Sequence, residues 1–365
     1  MYSWQHGAWP TFTWDRGQLL DRLAEAARRQ GRLLGKMQNV LQPLSDEARL
    51  HTLSEDALRT SEIEGEMLDP VSVRSSIARR LGVSYAGTDR RDRQIEGLVD
   101  MLLDATQNLR QPLTFERLFA WHAALFPTGY SGLHKITVGA WRRDEAGPMQ
   151  VVSGPIGQEK VHYEAPPAER VPEEMDRFLV WFNNSPEELD GILRSGIAHL
   201  WYVTIHPTED GNGRMARAVA DLALAQMEES PHRYYSMSSA ISNRRKDYYA
   251  ILETTQSSLN ITAWLSWYLD CFVAAVDEAE RTIGEVLAKQ RFWQRLQGKA
   301  LSERQTKVLN RLLEGFDGKI TTKKWAALGK CSQPTAQRDI NELIELGAMR
   351  MGEAGGRSTS YLLNL

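Results

Sequence analysis

Apolar residues recur three and four positions apart through several long stretches of this 365-residue chain, which predicts a mainly α protein. Over 15–41, Leu19, Leu20, Leu23, Ala26, Leu33 and Leu34 mark the buried side of a helix with Gly31 inside it. A second helix is expected from about Ser45, burying Leu50, Leu53, Ala57 and Leu58 and ending at Gly65. Residues 89–108 read as an amphipathic helix, and Thr114 as the cap of another running through Leu118, His122 and Leu125 to Phe126. His122, among apolar neighbours, reads as a hydrogen-bonded core histidine. The texture changes over 136–167, where glycines interrupt short β-prone pieces. Segments 149–153 and 160–163 there can pair as a hairpin around Gly154-Pro155-Ile156-Gly157.

Helical texture returns at Ile197, Leu200, Trp201, Val203 and Ile205, and Pro207 stops it because proline lacks an N–H and pushes its predecessor out of the α region. A second buried helix, 215–227, is rich in Ala and Leu with no Gly or Pro. Over 263–297, Leu265, Leu269, Phe272, Val276, Ala279, Ile283, Val286 and Trp293 form a seam in steps of four and three, with one position skipped at Gln290. That seam either packs back on the core or pairs with a second copy. From 301 onward a separate core pattern follows: Val308, Leu309, Leu312 and Leu313, then Trp325, Ala326 and Leu328, then Ile340, Leu343 and Ile344. Ser332 and Pro334 start a helix after the turn at Gly329-Lys330, an arrangement of helix–turn–helix type, and 351–357 reads as a wing. The expected domains are 1–85, 86–297 and 298–365. Trp4, Trp9, Phe12 and Trp14 crowd the start of the chain and read as a plug on a domain surface.

Composition narrows the class. A hydrophobic share of 42% and a charged share of 25% suit a soluble globular protein. No apolar run is long enough to span a bilayer, and the first residues have neither the basic nor the apolar region of a secretory leader. Cys271 and Cys331 make no metal-ligand spacing and suit a reducing cytoplasm, the expected location. The net charge of −3 hides an asymmetry, since 11 Lys and Arg face 7 Asp and Glu from Lys299 onward. Neither a His-Glu-x-x-His pattern nor a Gly-x-x-x-x-Gly-Lys-Ser/Thr pattern occurs.

The densest chemistry lies in His206-Pro207-Thr208-Glu209-Asp210-Gly211-Asn212-Gly213-Arg214-Met215-Ala216-Arg217. It joins the end of one buried helix to the start of the next, where unpaired N–H groups and the dipole favour an anion. Gly211 and Gly213 let backbone approach a ligand, and Arg214 and Arg217 suit phosphate oxygens. His206 titrates near neutral pH and Asp210 can hold a hard cation, so the segment reads as metal-assisted phosphate chemistry with a histidine base. Glu209 reads as solvated. An EF-hand loop fails because Arg214 and Met215 stand where it needs a ligand and a glycine.

This segment resembles the signature of the Fic family of AMP-transferring enzymes, His-Pro-Phe-x-Asp-Gly-Asn-Gly-Arg-x-x-Arg. Every position matches except the aromatic, which is Thr208 here; that removes a packing anchor but no reacting group. The resemblance implies that His206 deprotonates a target hydroxyl and that Asp210 holds Mg²⁺ on the phosphates of ATP. It implies too that Gly211, Asn212 and Gly213 seat the α-phosphate while Arg214 and Arg217 meet the outer phosphates. Thr60-Ser61-Glu62-Ile63-Glu64-Gly65 fits the family's inhibitory motif, Ser/Thr-x-x-x-Glu followed by Gly or Asn. On the residues alone Glu64 reads as a solvated side chain before a C-cap glycine; the resemblance pairs it with Arg217, where it would block the productive phosphate pose. By the same resemblance the hairpin at 149–163 is a flap, with Val151, Val152 and Ser153 clamping a target segment by strand-like pairing. Asn243, Tyr248 or Tyr249 would border the adenine.

The implied architecture is a Fic-type helical core with a β-hairpin flap, a helical N-terminal domain and a C-terminal winged helix. Thr335, Gln337 and Arg338 would then face DNA bases, with Lys330 and Arg357 near phosphates, unless the winged helix serves protein contacts. The implied function is a protein adenylyltransferase, silenced by Glu64, that uses ATP and Mg²⁺ on a Ser, Thr or Tyr hydroxyl of an unknown target or of itself. Two other readings stay open: a hydrolase that removes AMP with Glu64 positioning water, and a nucleotide-sensing DNA-binding regulator. A homodimer is compatible with the long seam.

Overall fold

The computed structural model describes residues 1–365 except 39, 41, 86, 89, 146, 155–157, 159, 187, 314–318, 353–358 and 365, with only the backbone of 42 and 43. The expectations for Leu41, for the hairpin turn at 155–157 and for Arg357 therefore lie outside the described residues. The chain divides into two compact units, Met1–Glu280 and Arg281–Leu365.

The first unit is mainly helical. Its elements in order are α1 (Arg16–Met37), α2 (Gln42–Ile63), α3 (Pro70–Leu81), α4 (Arg93–Gln107), α5 (Phe115–Leu125), β1 (Tyr130–Ser131), β2 (His134–Lys135), β3 (Gln150–Ser153) and β4 (Lys160–Glu164). They continue with α6 (Val171–Asn183), α7 (Gly191–Ile205), α8 (Asn212–Glu228), α9 (Met237–Ser242), α10 (Arg245–Thr255) and α11 (Thr262–Leu296), of which the residues up to Glu280 belong to this unit.

Local sequence explains the starts of these helices. Asp15, Asp69, Asp92, Thr114 and Asp190 cap α1, α3, α4, α5 and α7, each accepting from N–H groups of the first turn. In α1 the stripe holds at Leu19, Ala26 and Leu33, but Leu20 is 65% exposed. Successive residues lie about 100° apart on a helix, which turns Leu20 off the face that Leu19 buries.

α7 and α8 are packed along each other and form the centre of the unit, with α4 on α8 and α2 on α3, α8 and α9. Leu200, Ile205, Met215, Val219, Leu222 and Leu224 are buried at that centre. The N-terminal aromatics behave as a plug. Trp9 is buried, packs edge-on against Phe12 and Trp201, and donates its indole N–H to Glu174 Oε2 at 2.8 Å. Backbone bonds from Ser3 N to Gln256 O (2.7 Å) and Thr13 N to Leu259 O (2.9 Å) fasten the same stretch. In α11, Leu265, Leu269, Phe272, Val276 and Ala279 are buried within this chain, which answers the first half of the seam by packing back on the core.

The second unit contains α12 (Glu303–Leu313), α13 (Thr322–Leu328), α14 (Gln333–Glu345), β5 (Met349–Met351) and β6 (Tyr361–Leu363). Val308, Leu309, Leu312, Trp325, Ala326, Ile340 and Leu343 share one core with Phe292 and Leu296. β5 and β6 pair antiparallel, and Ile320 bridges to Tyr361. Ser332 caps α14, as the sequence implies. Among the described residues no helix is long and apolar enough to cross a membrane, and both cysteines are free thiols.

Candidate active site

α7 ends at His206, whose φ of 52° and ψ of 58° place a non-glycine residue in the left-handed region. Such a conformation costs on the order of 1–3 kcal/mol and persists only where neighbours impose it. Here His206 N closes the helix on Tyr202 O at 3.1 Å, and Arg142 Nε donates to His206 O at 2.7 Å. The imidazole Nδ1 lies 3.1 Å from Val203 O. A carbonyl only accepts, so Nδ1 carries the proton, and in the neutral ring Nε2 keeps its lone pair. That is the protonation state of a base. Desolvation holds the imidazole below its ordinary pKa; the Arg142 charge acts in the same direction, against the Val203 carbonyl, Glu64 and Asp210.

The loop is braced internally. Thr208 is fully buried, and its N–H and Oγ1 stand 3.0 and 2.8 Å from Asn212 Oδ1. Asn212 Nδ2 returns to Thr208 O at 2.7 Å, and Thr208 Oγ1 also lies 2.8 Å from Asp210 O. The missing aromatic anchor is thus replaced by hydrogen bonds that an aromatic ring cannot make. One of the two Asn212 amide N–H bonds is used in this way, so its side chain braces the loop as well as facing it. Glu209 is not simply solvated: its Oε2 accepts from Thr137 N at 3.0 Å and ties the loop to the segment after β2. His122 is buried and accepts at Nδ1 from Gly139 N at 3.2 Å, as a core histidine should.

Asp210 accepts from Gly211 N at 2.6 Å and from the Ser131 hydroxyl on β1. A carboxylate offers about four lone-pair sites, so two bonds leave room for a hard cation. Gly211 has φ 80°, and a Cβ there would lie 2.9 Å from Phe126 Cε2, so only glycine fits. α8 then begins, and Arg214 and Arg217 sit in its first two turns with side chains 3% and 2% exposed.

Both arginines meet acids from the segment after α2. Arg217 Nη2 is 2.6 Å from Glu64 Oε1 and 2.9 Å from Thr60 O, while its Nε is 2.7 Å from Thr60 Oγ1. Arg214 Nη1 is 2.8 Å from Glu66 Oε2, and its guanidinium lies over the Phe126 ring. Arg214 Nε and Arg217 Nη1 remain buried without a hydrogen-bond partner. Orphaned guanidinium N–H groups beside a helix N-terminus are what an oxyanion would satisfy, so the residues fit a polyphosphate with its cation on Asp210. Among the described residues no cluster of three or more His, Cys, Asp or Glu is placed to hold a metal ion. Mg²⁺ held by one carboxylate and substrate phosphates needs none.

The hairpin β3–β4 stands where a flap was expected, with a register shift between Val151 and Val152. Val152 is 47% exposed, and the two-stranded sheet leaves an outer edge open to strand-like pairing. Tyr163 on β4 donates its hydroxyl to Thr204 O at 2.6 Å, two residues before His206, which fixes the base of the hairpin beside the imidazole.

The adenine candidates separate. Tyr248 is buried and its hydroxyl pairs with His199 Nε2 at 2.9 Å, so it does not face a ligand. Tyr249 donates to Ile63 O at 3.0 Å, and Arg245 Nε reaches the same carbonyl at 2.7 Å, so both hold the end of α2. Asn243 is exposed at the end of α9. In the second unit Gln337 is not free to read bases: it bonds Thr322 Oγ1 (2.8 Å), Asn341 Oδ1 (3.0 Å) and the Tyr361 hydroxyl (3.1 Å). Thr335 is part of the α14 cap through Ser332, whereas Arg338 and Lys330 are exposed. Sequence reasoning missed Ser131 and gave Arg142 and Glu66 no role beyond their place in segments that resemble the family; Thr60 stood in the inhibitory motif, one helical turn before Glu64.

A helical scaffold brings the histidine, the glycine loop and both arginines to one helix junction. Residues 112–224 match the model of the Fic/DOC family. Residues 2–83 match a domain of unknown function, DUF4172. A Fic family protein from Desulfovibrio desulfuricans G20 has a similar fold, with a TM-score of 0.56 at 22% identity over 97% of this chain and 98% of that one. A Fic domain containing signaling protein from Bacteroides thetaiotaomicron VPI-5482 gives 0.54 at 17% identity over 71% of this chain and 98% of that one. Fic-1 from C. elegans gives 0.51 at 18% identity over 74% and 73%. At these identities the likeness is one of fold.

Proposed function

We propose that this chain is a protein adenylyltransferase held at rest by its own Glu64. The single observation that carries the reading is the pairing of a bare His206 Nε2 with a phosphate-ready helix start whose two arginines are already met by glutamates. In the step proposed, Nε2 takes the proton of a Ser, Thr or Tyr hydroxyl on a target protein. The hydroxyl oxygen bonds to the α-phosphorus of ATP, the bond to the β-phosphate oxygen breaks, and pyrophosphate leaves. Gly211, Gly213 and the Asn212 amide would seat the α-phosphate, and Arg214 and Arg217 the outer ones. Mg²⁺ on Asp210 would supply charge neutralisation to the phosphates. The flap edge at Val151, Val152 and Ser153 would align the target backbone. Glu64 opposes all this by neutralising Arg217 and filling the space over Gly213.

Intact-mass spectrometry after incubation with ATP and Mg²⁺ tests the reading on wild type, Glu64→Gly and Glu64→Gly with His206→Ala. AMP adducts on Glu64→Gly that stay scarce on wild type and vanish in the double variant are expected. No adduct on any form, on the chain or on candidate targets, would leave the AMP-removing or sensing readings ahead.

A second activity is supported by the other unit, where Lys323, Lys330 and Arg338 are exposed around α13 and α14. We read this as a winged helix that binds DNA weakly and with strong salt dependence.

A further inference from the structure

Arg142 is an arginine that no part of the phosphate chemistry uses, yet its side chain is completely buried. It lies 64 residues before His206 in the sequence and donates through Nε to His206 O at 2.7 Å. Its own backbone N–H donates to Pro207 O at 2.9 Å. Its Nη1 pairs with Asp144 at 2.8 Å, and its Nη2 donates to Pro166 O, just beyond β4. Asp144 is itself fixed, since its Oδ2 accepts from Ala168 N at 2.7 Å. The guanidinium therefore grips the His206 carbonyl and the base of the hairpin together, while the backbone N–H of the same residue holds the Pro207 carbonyl.

The consequence reaches the imidazole through the backbone. The Nδ1–Val203 bond forms because His206 stands in the left-handed region, which swings its side chain back over the last turn of α7. Without the guanidinium's grip on the His206 carbonyl, that conformation relaxes toward unstrained values. Nδ1 then loses its acceptor, and a neutral imidazole so released favours the proton on Nε2, the wrong nitrogen for a base. A guanidinium suits the task because its planar fork reaches several carbonyls at once, which an ammonium cannot do in fixed geometry.

We propose that Arg142 is a positioning residue for His206: by fixing the His206 carbonyl its guanidinium holds the imidazole in the Nδ1–H tautomer, so that Nε2 stays bare. This rests on the reading of His206 as the base. The proposal makes the hairpin and the histidine one mechanical unit, since the same side chain holds both.

The test is ¹⁵N spectroscopy of the full chain labelled at histidine, with His206→Gln identifying the signals of that ring. Wild type should show a protonated, pyrrole-type Nδ1 and a pyridine-type Nε2. Arg142→Met should move the pyridine-type signal to Nδ1 or average the two, and Arg142→Lys, which keeps the charge but not the fork, should do the same in part. A wild type with the proton on Nε2 overturns the proposal. So does an Arg142→Met protein that keeps its fold by circular dichroism together with the wild-type pattern; if that variant does not fold, an unchanged pattern in Arg142→Lys overturns it instead. The outcome does not depend on turnover. Should His206→Ala still transfer AMP, the base reading fails while the tautomer result stands; should the tautomer be insensitive to Arg142 while His206→Ala is inactive, only the positioning role fails.

Discussion

Glu64 and Gly213 compete for one volume: a Cβ built on Gly213 would lie 2.1 Å from Glu64 Oε1, although the two residues come from different ends of the unit. Gly213 is helical and tolerates alanine on backbone grounds, so the substitution acts through that contact. We expect Glu64→Gly to tighten ATP·Mg²⁺ binding by roughly tenfold, about 1.4 kcal/mol. Gly213→Ala also evicts the carboxylate but puts a methyl where phosphate oxygens would approach, so its affinity should stay at or below wild type. Calorimetric titration compares the two; equal tightening would mean that phosphates do not seat on this backbone.

Glu66 neutralises the other arginine. Its side chain is 35% exposed while that of Arg214 is 3% exposed, so Glu66→Gln should change stability by under about 1 kcal/mol. Its effect on nucleotide affinity should be larger and should add to that of Glu64→Gly, because each acid faces a different guanidinium. Affinities of the two single variants and the double variant form the cycle that checks this. A double variant no tighter than Glu64→Gly would make Glu66 a bystander.

Burial pushes His199 down to about 3, with Arg217 adding to the effect, against an ordinary value of 6.5. The folded pKa lies below the unfolded one, so the unfolded chain binds the extra proton, and this residue's contribution to stability is lost as pH falls through the interval between them. Each pH unit below the ordinary value costs about 1.4 kcal/mol, or roughly 2 kcal/mol by pH 5. Asp221, raised to about 7 by burial and by Asp56, works in the opposite direction, so the comparison must be made between variants. Urea melts at neutral pH and near pH 5 should show a smaller loss for His199→Gln than for wild type.

For the second unit, Arg338→Ala should weaken binding to duplex DNA and lower the slope of log affinity against log salt by about 1 if the side chain meets a phosphate. Loss of preference among sequences with little change in slope would place it at a base edge. Fluorescence anisotropy across a salt series separates these outcomes.

How much of this could be read in the chain depends on distance along it. The helix stop at Pro207, the glycines at 211 and 213 and the two arginines form one continuous segment, so their joint meaning follows from local rules. Leu20 failed because a stripe of leucines does not say where its edge lies. Tyr248 and Gln337 failed for a different reason. Residue type makes each a plausible ligand group, but only the packed structure shows their polar atoms already committed to His199 and to Thr322, Asn341 and Tyr361.

The sequence by itself determined the helical texture, the caps, most of the second unit's core and a glycine-rich helix start behind a histidine, because each follows from the period of the chain or from neighbours within a turn. Thr208 marks the limit of that reasoning: its side chain braces the loop through Asn212, a role its place as an aromatic's substitute concealed. The Glu64–Arg217 pair, 153 residues apart, was expected only through the family resemblance. Tertiary structure alone decided two other long-range contacts: Glu66 reaches Arg214 across 148 residues, and Arg142 reaches the His206 carbonyl across 64. Such contacts carry no periodic signal, since a buried guanidinium needs only some acceptor within reach, and packing chooses which.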